Sequence, residues 1–144
     1  MSRIYVASSW RNPLQPAVVG VLLGAGHQVY DFRNPPHRDG GFGWRQLDPE
    51  WEHWTPERYR EVLLTHPIAS HGYVSDLRAM EWADTCVLVQ PCGRSAHLEL
   101  GWFCGRGKRA IMLLAPGEPE LMALLATDLV CSIPELLHTL EGRA

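Results

Sequence analysis

The sequence has no excess of charge of either sign. Its 144 residues carry 13 Lys and Arg against 16 Asp and Glu, which leaves a formal net charge of −3 at pH 7. Proteins that coat nucleic acid or bind anionic membranes usually show a strongly basic balance or a basic patch. We therefore expect a small-molecule partner, and neither a nucleic-acid polymer nor a membrane.

Long apolar runs, a leader segment and paired cysteines are missing as well. No run reaches the roughly 20 apolar residues that cross a membrane, and no basic-then-apolar leader opens the chain. None of the four cysteines forms a CxxC pair, and the seven histidines show no ligand spacing. We expect reduced thiols, no metal site and a cytoplasmic protein.

What the sequence contains is an alternation of short apolar runs with helical stretches. Strands are predicted at 3–9, 27–32, 85–90, 109–114 and 128–132, and helices at 12–26, 55–67, 74–84, 96–106, 118–126 and 133–141. The run at 85–90 is apolar throughout, as in a strand covered on both faces. The pattern predicts one α/β domain over residues 1–144, with a parallel sheet in the order 2-1-3-4-5 and helices on both faces.

One segment interrupts this alternation. Residues 33–54 are rich in Pro, Gly and Trp and show no clean period. A loop of this length is usually functional or disordered, and its four aromatic residues argue against disorder. Trp44 is predicted to stack on a base of the ligand; the alternative is a hydrophobic cluster that packs the loop down.

Glu99 is the first candidate for chemistry, because its neighbours are otherwise small, apolar or aromatic. It follows the strand at 85–90 and the stretch "PCGRSA", and ligands of open α/β sheets lie beyond the carboxyl ends of the strands. With Ser95 as helix cap, a capping box needs its acid three residues later, where Leu98 stands. The remaining alternative is a surface glutamate. Gly93, Arg94 and Ser95 precede it at a helix start, which is suited to an anion.

Other candidates lie near the same predicted edge of the sheet. Asp76 stands near the predicted start of the helix at 74–84, where it is either a second functional carboxylate or an acid favoured by the helix dipole. Ser8, Ser9, Trp10 and Arg11 follow the first strand. Hydroxyls and an arginine hold a phosphate or a sugar, although serines also serve to start turns.

Three stretches together resemble the nucleoside 2-deoxyribosyltransferase family, which includes deoxyribonucleoside 5′-monophosphate N-glycosidases and pyrimidine-nucleotide N-hydrolases. They are "RIYVASSW", "YVSDLRAMEWADTCVLVQP" and "GRSAHLELGWFCGRGKRAIMLL". The resemblance runs from Ile4 to about Leu140 and is most specific at Glu99-Leu100-Gly101.

The resemblance implies a flavodoxin-like, Rossmann-like fold in which Glu99 is the nucleophile that attacks the anomeric carbon. It implies that Asp76 assists at the base or the sugar and that Tyr5 lies near the nucleophile. It further implies a nucleoside or nucleotide substrate, no cofactor, and a homodimer or larger assembly. The family's transferases usually carry another acid shortly before the nucleophile. This chain has Arg94 and Ser95 there, which favours an anionic substrate such as a nucleotide.

The functional hypothesis is therefore cleavage of an N-glycosidic bond, by hydrolysis or base exchange. Cleavage builds positive charge on the sugar, and a carboxylate beneath the anomeric carbon stabilises that charge or bonds to it. The alternative is an inactive nucleotide-binding sensor or interaction module of the same fold, favoured by the missing upstream acid. A third, weaker hypothesis is a flavin-binding protein, with Tyr5 and Trp10 beside the ring.

Overall fold

Five parallel strands form a single sheet in the order β2-β1-β3-β4-β5, as predicted. The computed structural model describes residues 1–36 and 41–142. The strands are β1 (Arg3–Ala7), β2 (Gln28–Asp31), β3 (Thr85–Val89), β4 (Arg109–Leu113) and β5 (Asp128–Val130). The helices are α1 (Gln15–Gly24), α2 (Pro56–Thr65), α3 (Pro67–Trp82), α4 (Arg94–Gly105) and α5 (Ile133–Glu141).

Local sequence explains where several helices begin. Thr55 caps α2 by accepting a hydrogen bond from the Arg58 backbone N–H at 3.2 Å, and Ser132 caps α5 through the N–H of Glu135. Both helices have a proline in their first turn, where its missing N–H costs nothing. The predicted cap at Thr55 is confirmed.

The two faces of the sheet bury different residues. One face packs against α1 and α5 through aliphatic side chains, among them Ile4, Val6, Leu22 and Ile111. The other face lies under α3 and α4 and contains tyrosines, cysteines, alanines and methionines. Because side chains alternate along each strand, β1 to β4 contribute to both faces, whereas β5 contributes Val130 to the aliphatic face only.

Two helix predictions were wrong. The stretch 118–126 forms only a five-residue 3-10 helix, Leu121–Leu125, with extended backbone at Glu120 and Ala126. The helix predicted at 74–84 begins at Pro67, because His66 before the proline is extended and accepts a hydrogen bond from the Ile68 N–H through its Nδ1. Asp76 therefore lies in the third turn of α3, where the dipole of the helix start does not account for it.

The loop predicted at 33–54 is ordered over its described part and contains two 3-10 helices, Trp44–Gln46 and Trp51–His53; residues 37–40 lie outside the described residues. At Gly41 a Cβ would stand 2.2 Å from the Phe32 carbonyl oxygen and 2.6 Å from the Trp10 ring. Only glycine fits at that approach, which brings the loop against the segments that follow β1 and β2.

Neither a membrane span nor a metal cluster occurs in residues 1–36 and 41–142. None of their helices has the length and hydrophobicity required to cross a bilayer, and no group of three or more His, Cys, Asp or Glu is placed to hold a metal ion. All four cysteines are free thiols.

Candidate active site at the carboxyl edge of the sheet

The register of the sheet places two tyrosines side by side beneath the candidate site. Tyr5 of β1 is the partner of Tyr30 on β2, and of Cys86 on β3. The two tyrosine rings stack, with centroids 5.4 Å apart and an interplanar angle of 10°. Phe103 of α4 also packs against Tyr5, with 5.9 Å between centroids and an interplanar angle of 38°. These rings form a rigid floor between α3 and α4.

Glu99 is held above this floor by a hydrogen bond from the Tyr5 hydroxyl. It lies in the second turn of α4, next to the buried Leu100, and its own side chain is partly buried. The expected position of Tyr5 next to Glu99 is therefore observed. The structure also contradicts the prediction of Ser95 as the helix cap: α4 begins at Arg94, and Gly93 is the capping residue.

Asp76 faces the same space from α3 and is held by a residue that the sequence did not single out. The Tyr30 hydroxyl donates a hydrogen bond to Asp76 Oδ1 at 2.8 Å and lies 3.3 Å from the Ser75 hydroxyl oxygen. Asp76 and Glu99 are close enough that their charges influence each other. The structure thus brings the two predicted carboxylates together across Tyr5.

Electrostatics single out Glu99 as the group in this cluster that titrates near neutral pH. The pKa of the Glu99 carboxyl is raised to about 7. Burial is the largest cause and raises it, the hydrogen bond from Tyr5 lowers it, and the charge of Asp76 raises it. Burial, reinforced by the charge of Glu99, raises the pKa of the Cys92 thiol to about 11 and that of Tyr5 well above its usual range. The thiol and the phenol therefore stay protonated at pH 7, and perturbed groups of this kind cluster at functional sites.

The loop after β1 and the loop after β3 meet beside these carboxylates. The Ser8 hydroxyl donates to the Val89 carbonyl oxygen at 2.8 Å. The buried Asn12 amide donates to Ser8 Oγ at 3.2 Å and to the carbonyl oxygens of Val89 and Pro91 at 3.1 and 3.2 Å. Ser8 thus joins the two loops, and Asn12, which the sequence analysis did not name, is the centre of the junction.

The predicted anion-binding residues are exposed around this junction. Gly93, Arg94 and Ser95 form the exposed start of α4, and no side chain caps that helix in the described part of the chain. The first N–H groups of a helix have no partner within it and attract anions. Arg11 is exposed on the neighbouring loop, where its backbone N–H donates to Ser9 Oγ at 3.2 Å.

Arg33 supports the loop after β1 from below and was also missed by the sequence analysis. Its Nη2 donates to the carbonyl oxygens of Ser9, Trp10 and Asn12 at 2.9 to 3.1 Å, and its guanidinium lies 5.3 Å from the centre of the Trp10 ring. The signal was weak, because a single arginine in a Pro-rich loop has no periodic pattern to mark it.

Trp10 and Trp44 belong to different clusters. Trp10 packs edge-to-face on Phe32 and donates its indole N–H to the Phe42 carbonyl oxygen at 3.0 Å. Trp44 packs edge-to-face on the Phe42 ring and clusters with Trp54 at 5.7 Å between centroids. Phe42 thus lies between the two, and the structure does not bring Trp44 into contact with the residues around Glu99.

Comparison with known proteins agrees with this architecture. No family model and no curated protein sequence matches the chain, but solved structures do. A 2-deoxyribosyltransferase from Bacillus psychrosaccharolyticus superposes with a TM-score of 0.66 at 19% identity, over 93% of this chain and 89% of that one. A CMP N-glycosidase from Clostridium botulinum gives 0.51 at 16% identity, over 98% of both chains.

The chain has the fold of these two enzymes. A conserved protein from Enterococcus faecalis V583 gives a TM-score of 0.67 at 12% identity, over 100% of this chain and 99% of that one. The flavodoxin-like architecture that the resemblance implied is therefore confirmed, and the structural neighbours include a member of the family that the sequence resembles.

Proposed function

We propose that this protein cleaves the N-glycosidic bond of a (deoxy)nucleoside or its 5′-monophosphate, by hydrolysis or base exchange, with Glu99 as the nucleophile. The observation that carries the proposal is the partly buried Glu99 carboxylate, hydrogen-bonded to Tyr5, with a pKa of about 7, opposite Asp76. Two proteins of the same fold, a 2-deoxyribosyltransferase and a CMP N-glycosidase, support the proposal.

The chemistry takes two steps. A Glu99 oxygen attacks the anomeric carbon, the bond from that carbon to the base nitrogen breaks, and the base leaves with the electron pair and takes a proton from solvent. Water, or the N–H nitrogen of a second base, then attacks the anomeric carbon, gives up its proton to solvent and releases the Glu99 carboxylate. Developing positive charge on the sugar is stabilised by a carboxylate that low solvent exposure keeps from being screened.

Tyr30 is the residue that positions Asp76 in this scheme. The Tyr30 hydroxyl donates a hydrogen bond to Asp76 Oδ1, and the Tyr30 ring stacks on Tyr5. Asp76 is thereby oriented to assist the leaving base, or the sugar, from the side opposite α4. One floor of two stacked tyrosines thus orients both carboxylates, Glu99 through Tyr5 and Asp76 through Tyr30.

A 5′-monophosphate suits the exposed groups at the edge of the site. Arg94 and Ser95 stand at the start of α4, and Arg11 is exposed on the neighbouring loop. Arginine binds phosphate in a two-pronged manner, and the helix start adds backbone N–H donors. Ser9 and Trp10 complete the proposed substrate contacts, with Trp10 as a wall for the base or the sugar.

We also propose that the protein is at least a dimer. Leu121 and Leu124 of the short 3-10 helix are 79% and 77% exposed, and Leu98 on α4 is 76% exposed. Exposed apolar groups in such number favour association. Light scattering at micromolar concentration should give at least twice the 16.2 kDa chain mass, and Leu121→Glu with Leu124→Glu should lower it. A monomeric parent protein contradicts the proposal.

Base release measures the proposed activity directly. The pure protein is incubated with a panel of nucleosides and 5′-monophosphates, and free base is separated by chromatography, with and without a second base as acceptor. Glu99→Gln is the test variant, and Glu81→Gln, an exposed acid at the end of α3, is the matched control. Ligand binding without base release by the parent protein favours the inactive sensor instead.

A further inference from the structure

The aromatic loop forms a pocket whose lining includes neither Glu99 nor Asp76. The pocket has a volume of about 230 Å³ and is lined by four aromatic residues and one acid, Trp44, Trp51, Glu52, Trp54 and Tyr59. All five come from one segment of the chain, the loop and the first turn of α2. None of them takes part in the hydrogen bonds described above for Glu99 and Asp76.

The walls of this pocket are held in place before any ligand arrives. Trp44 packs edge-to-face on Phe42 and on Trp54, with centroids 4.9 and 5.7 Å away, and lies 6.2 Å from Tyr59. The Trp54 indole N–H donates to Asp48 Oδ2 at 2.7 Å. Thr55 caps α2 and so fixes the turn that carries Tyr59. Because these side chains are already ordered, ligand binding should cost little of their conformational entropy.

The segment is also fastened to the body of the protein. Gly72 of α3 packs so closely on Phe42 that a Cβ there would stand 3.1 Å from the ring. The Phe42 carbonyl oxygen accepts the Trp10 indole N–H at 3.0 Å. Through Phe42, the aromatic cluster therefore contacts both α3 and the loop after β1.

The chemistry of the lining selects a positively charged ligand. Aromatic faces carry negative potential and attract cations within about 6 Å of the ring centre. Glu52 is the charged member of the lining, and Asp48 lies behind Trp54 with a pKa that the indole hydrogen bond lowers. The lowered pKa keeps Asp48 ionised at neutral pH, where its charge adds to the negative potential of the rings, and Glu52 places a carboxyl group in the lining itself.

A methylated ammonium group matches this lining better than a primary amine does. A primary ammonium is strongly hydrated and needs three hydrogen-bond acceptors, whereas the lining offers four aromatic side chains and one carboxyl group. A quaternary ammonium has no N–H to satisfy, and its methyl groups bury well against indole. Aromatic cages of several rings with an acid are a common solution for such ligands.

We propose that Trp44, Trp51, Trp54, Tyr59 and Glu52 form a binding site for an organic cation with a quaternary or multiply methylated ammonium group. This site is independent of the proposed glycosidic cleavage. The nearest described link between the two is Phe42, which contacts both Trp44 and Trp10.

The probe is choline, compared with its neutral carbon analogue 3,3-dimethylbutan-1-ol, titrated against the whole protein by calorimetry and tryptophan fluorescence. The positive charge is the difference between the two ligands, so choline should bind at least about tenfold more tightly, as expected for a cation on several rings and an acid. Equal binding of the two, or no binding of choline at millimolar concentration, overturns the proposal.

Two matched acid variants test the pocket itself. Glu52→Gln should weaken choline binding at least about threefold, whereas Glu50→Gln should not, because Glu50 is exposed in the same segment but pairs with His53 at 3.8 Å outside the lining. Equal weakening by both variants would show a general surface field and contradict the site. Trp44→Leu should abolish binding, with a thermal melt to confirm folding. A nucleoside that displaces choline and binds more tightly makes the pocket a base-stacking site, and the proposal is then wrong.

Discussion

The two faces of the sheet use the same strands for different purposes. Ile4 and Val6 point to the face covered by α1 and α5, where every core member is aliphatic. The alternate residues of the same strand, Tyr5 and Ala7, point to the face covered by α3 and α4. There the core includes tyrosine, cysteine and methionine, and hydroxyl and carboxylate groups converge at its upper end.

The difference shows how one sheet supplies stability and chemistry together. The buried cluster on the aliphatic face consists only of Ile, Leu and Val, so its contribution to the free energy of unfolding comes from apolar burial. On the opposite face, burial raises the pKa of Glu99 to about 7, which costs stability whenever that carboxyl is ionised. Substitutions on the two faces should therefore separate stability from turnover.

The largest effect is expected from Glu99→Gln. Loss of the nucleophile removes the covalent route and should lower base release by roughly 10³-fold or more. Single-turnover assays of base release, with Glu81→Gln in parallel, measure it. Near-normal turnover of Glu99→Gln would refute the assignment of the nucleophile.

The same variant should gain stability at high pH. The folded protein retains the Glu99 proton up to about pH 7, whereas the unfolded chain loses it near the usual value of 4.5. The free energy of unfolding of the parent therefore falls as the pH rises between these values, by on the order of 3 kcal/mol. Glutamine does not titrate, so Glu99→Gln should be more stable than the parent at pH 8 and similar to it near pH 4. Chemical denaturation of the parent and of Glu99→Gln at both pH values measures the difference. A large loss of stability in Glu99→Gln at pH 8 would make Glu99 a structural residue.

On the aliphatic face, Ile111→Ala should have the converse effect. Ile111 is fully buried, and removal of its side chain should cost about 2–5 kcal/mol of stability at every pH. Turnover per folded molecule should stay within a few-fold of the parent. Chemical denaturation and an assay well below the melting temperature test both parts. A large loss of turnover in a folded sample would mean that the two faces are coupled.

Tyr30→Phe should lower turnover less than Glu99→Gln does. The phenylalanine ring retains the stacking on Tyr5 but loses the hydrogen bond to Asp76, and a bond to a charged group of this kind is worth about 1.5–3 kcal/mol. We expect kcat to fall about 10- to 100-fold with KM little changed. Tyr73→Phe, an exposed tyrosine on α3, serves as control. Unchanged kcat in Tyr30→Phe would remove Tyr30 from the mechanism.

The smallest effects should appear in the pH dependence, with opposite signs. Turnover of the parent should fall as the pH drops through about 7, since Glu99 must be ionised to attack. Tyr5→Phe removes a hydrogen bond that lowers the Glu99 pKa, so the fall should move to higher pH. Asp76→Asn removes a charge that raises it, so the fall should move to lower pH. Shifts of the same sign in both variants would contradict the electrostatic arrangement.

The sequence predicted the sheet well because each strand is a short apolar run with a helix or a turn on either side. It placed Glu99 and the loops at the correct edge, since that edge follows from strand direction alone. The start of α3 was missed because His66-Pro67 ends α2 and at once begins a new helix, so that no loop separates the two helices. The helix predicted at 118–126 was wrong because its apolar residues follow Pro116, Gly117 and Pro119, which favour irregular backbone there.

The missed site residues act through tertiary contacts that leave no local pattern. Tyr30 looks like an ordinary strand tyrosine until the register sets it next to Tyr5, and its partner Asp76 is 46 positions away. Arg33 supports the loop after β1 through backbone carbonyl oxygens, which no side-chain pattern encodes. The predicted stacking role of Trp44 depended on where the loop packs, and composition does not specify that.

The Asn12 junction has a consequence for redesign of this protein. Its amide ties Ser8 to the carbonyl oxygens of Val89 and Pro91, and its Oδ1 accepts the Leu14 N–H at 2.9 Å. Transplanting only one of the two loops from another enzyme would strand a buried amide or two buried carbonyls without partners, at a cost of about 1–3 kcal/mol for each group. The loops that follow β1 and β3 therefore form a single module, and new substrate preferences have to be grafted onto both at once.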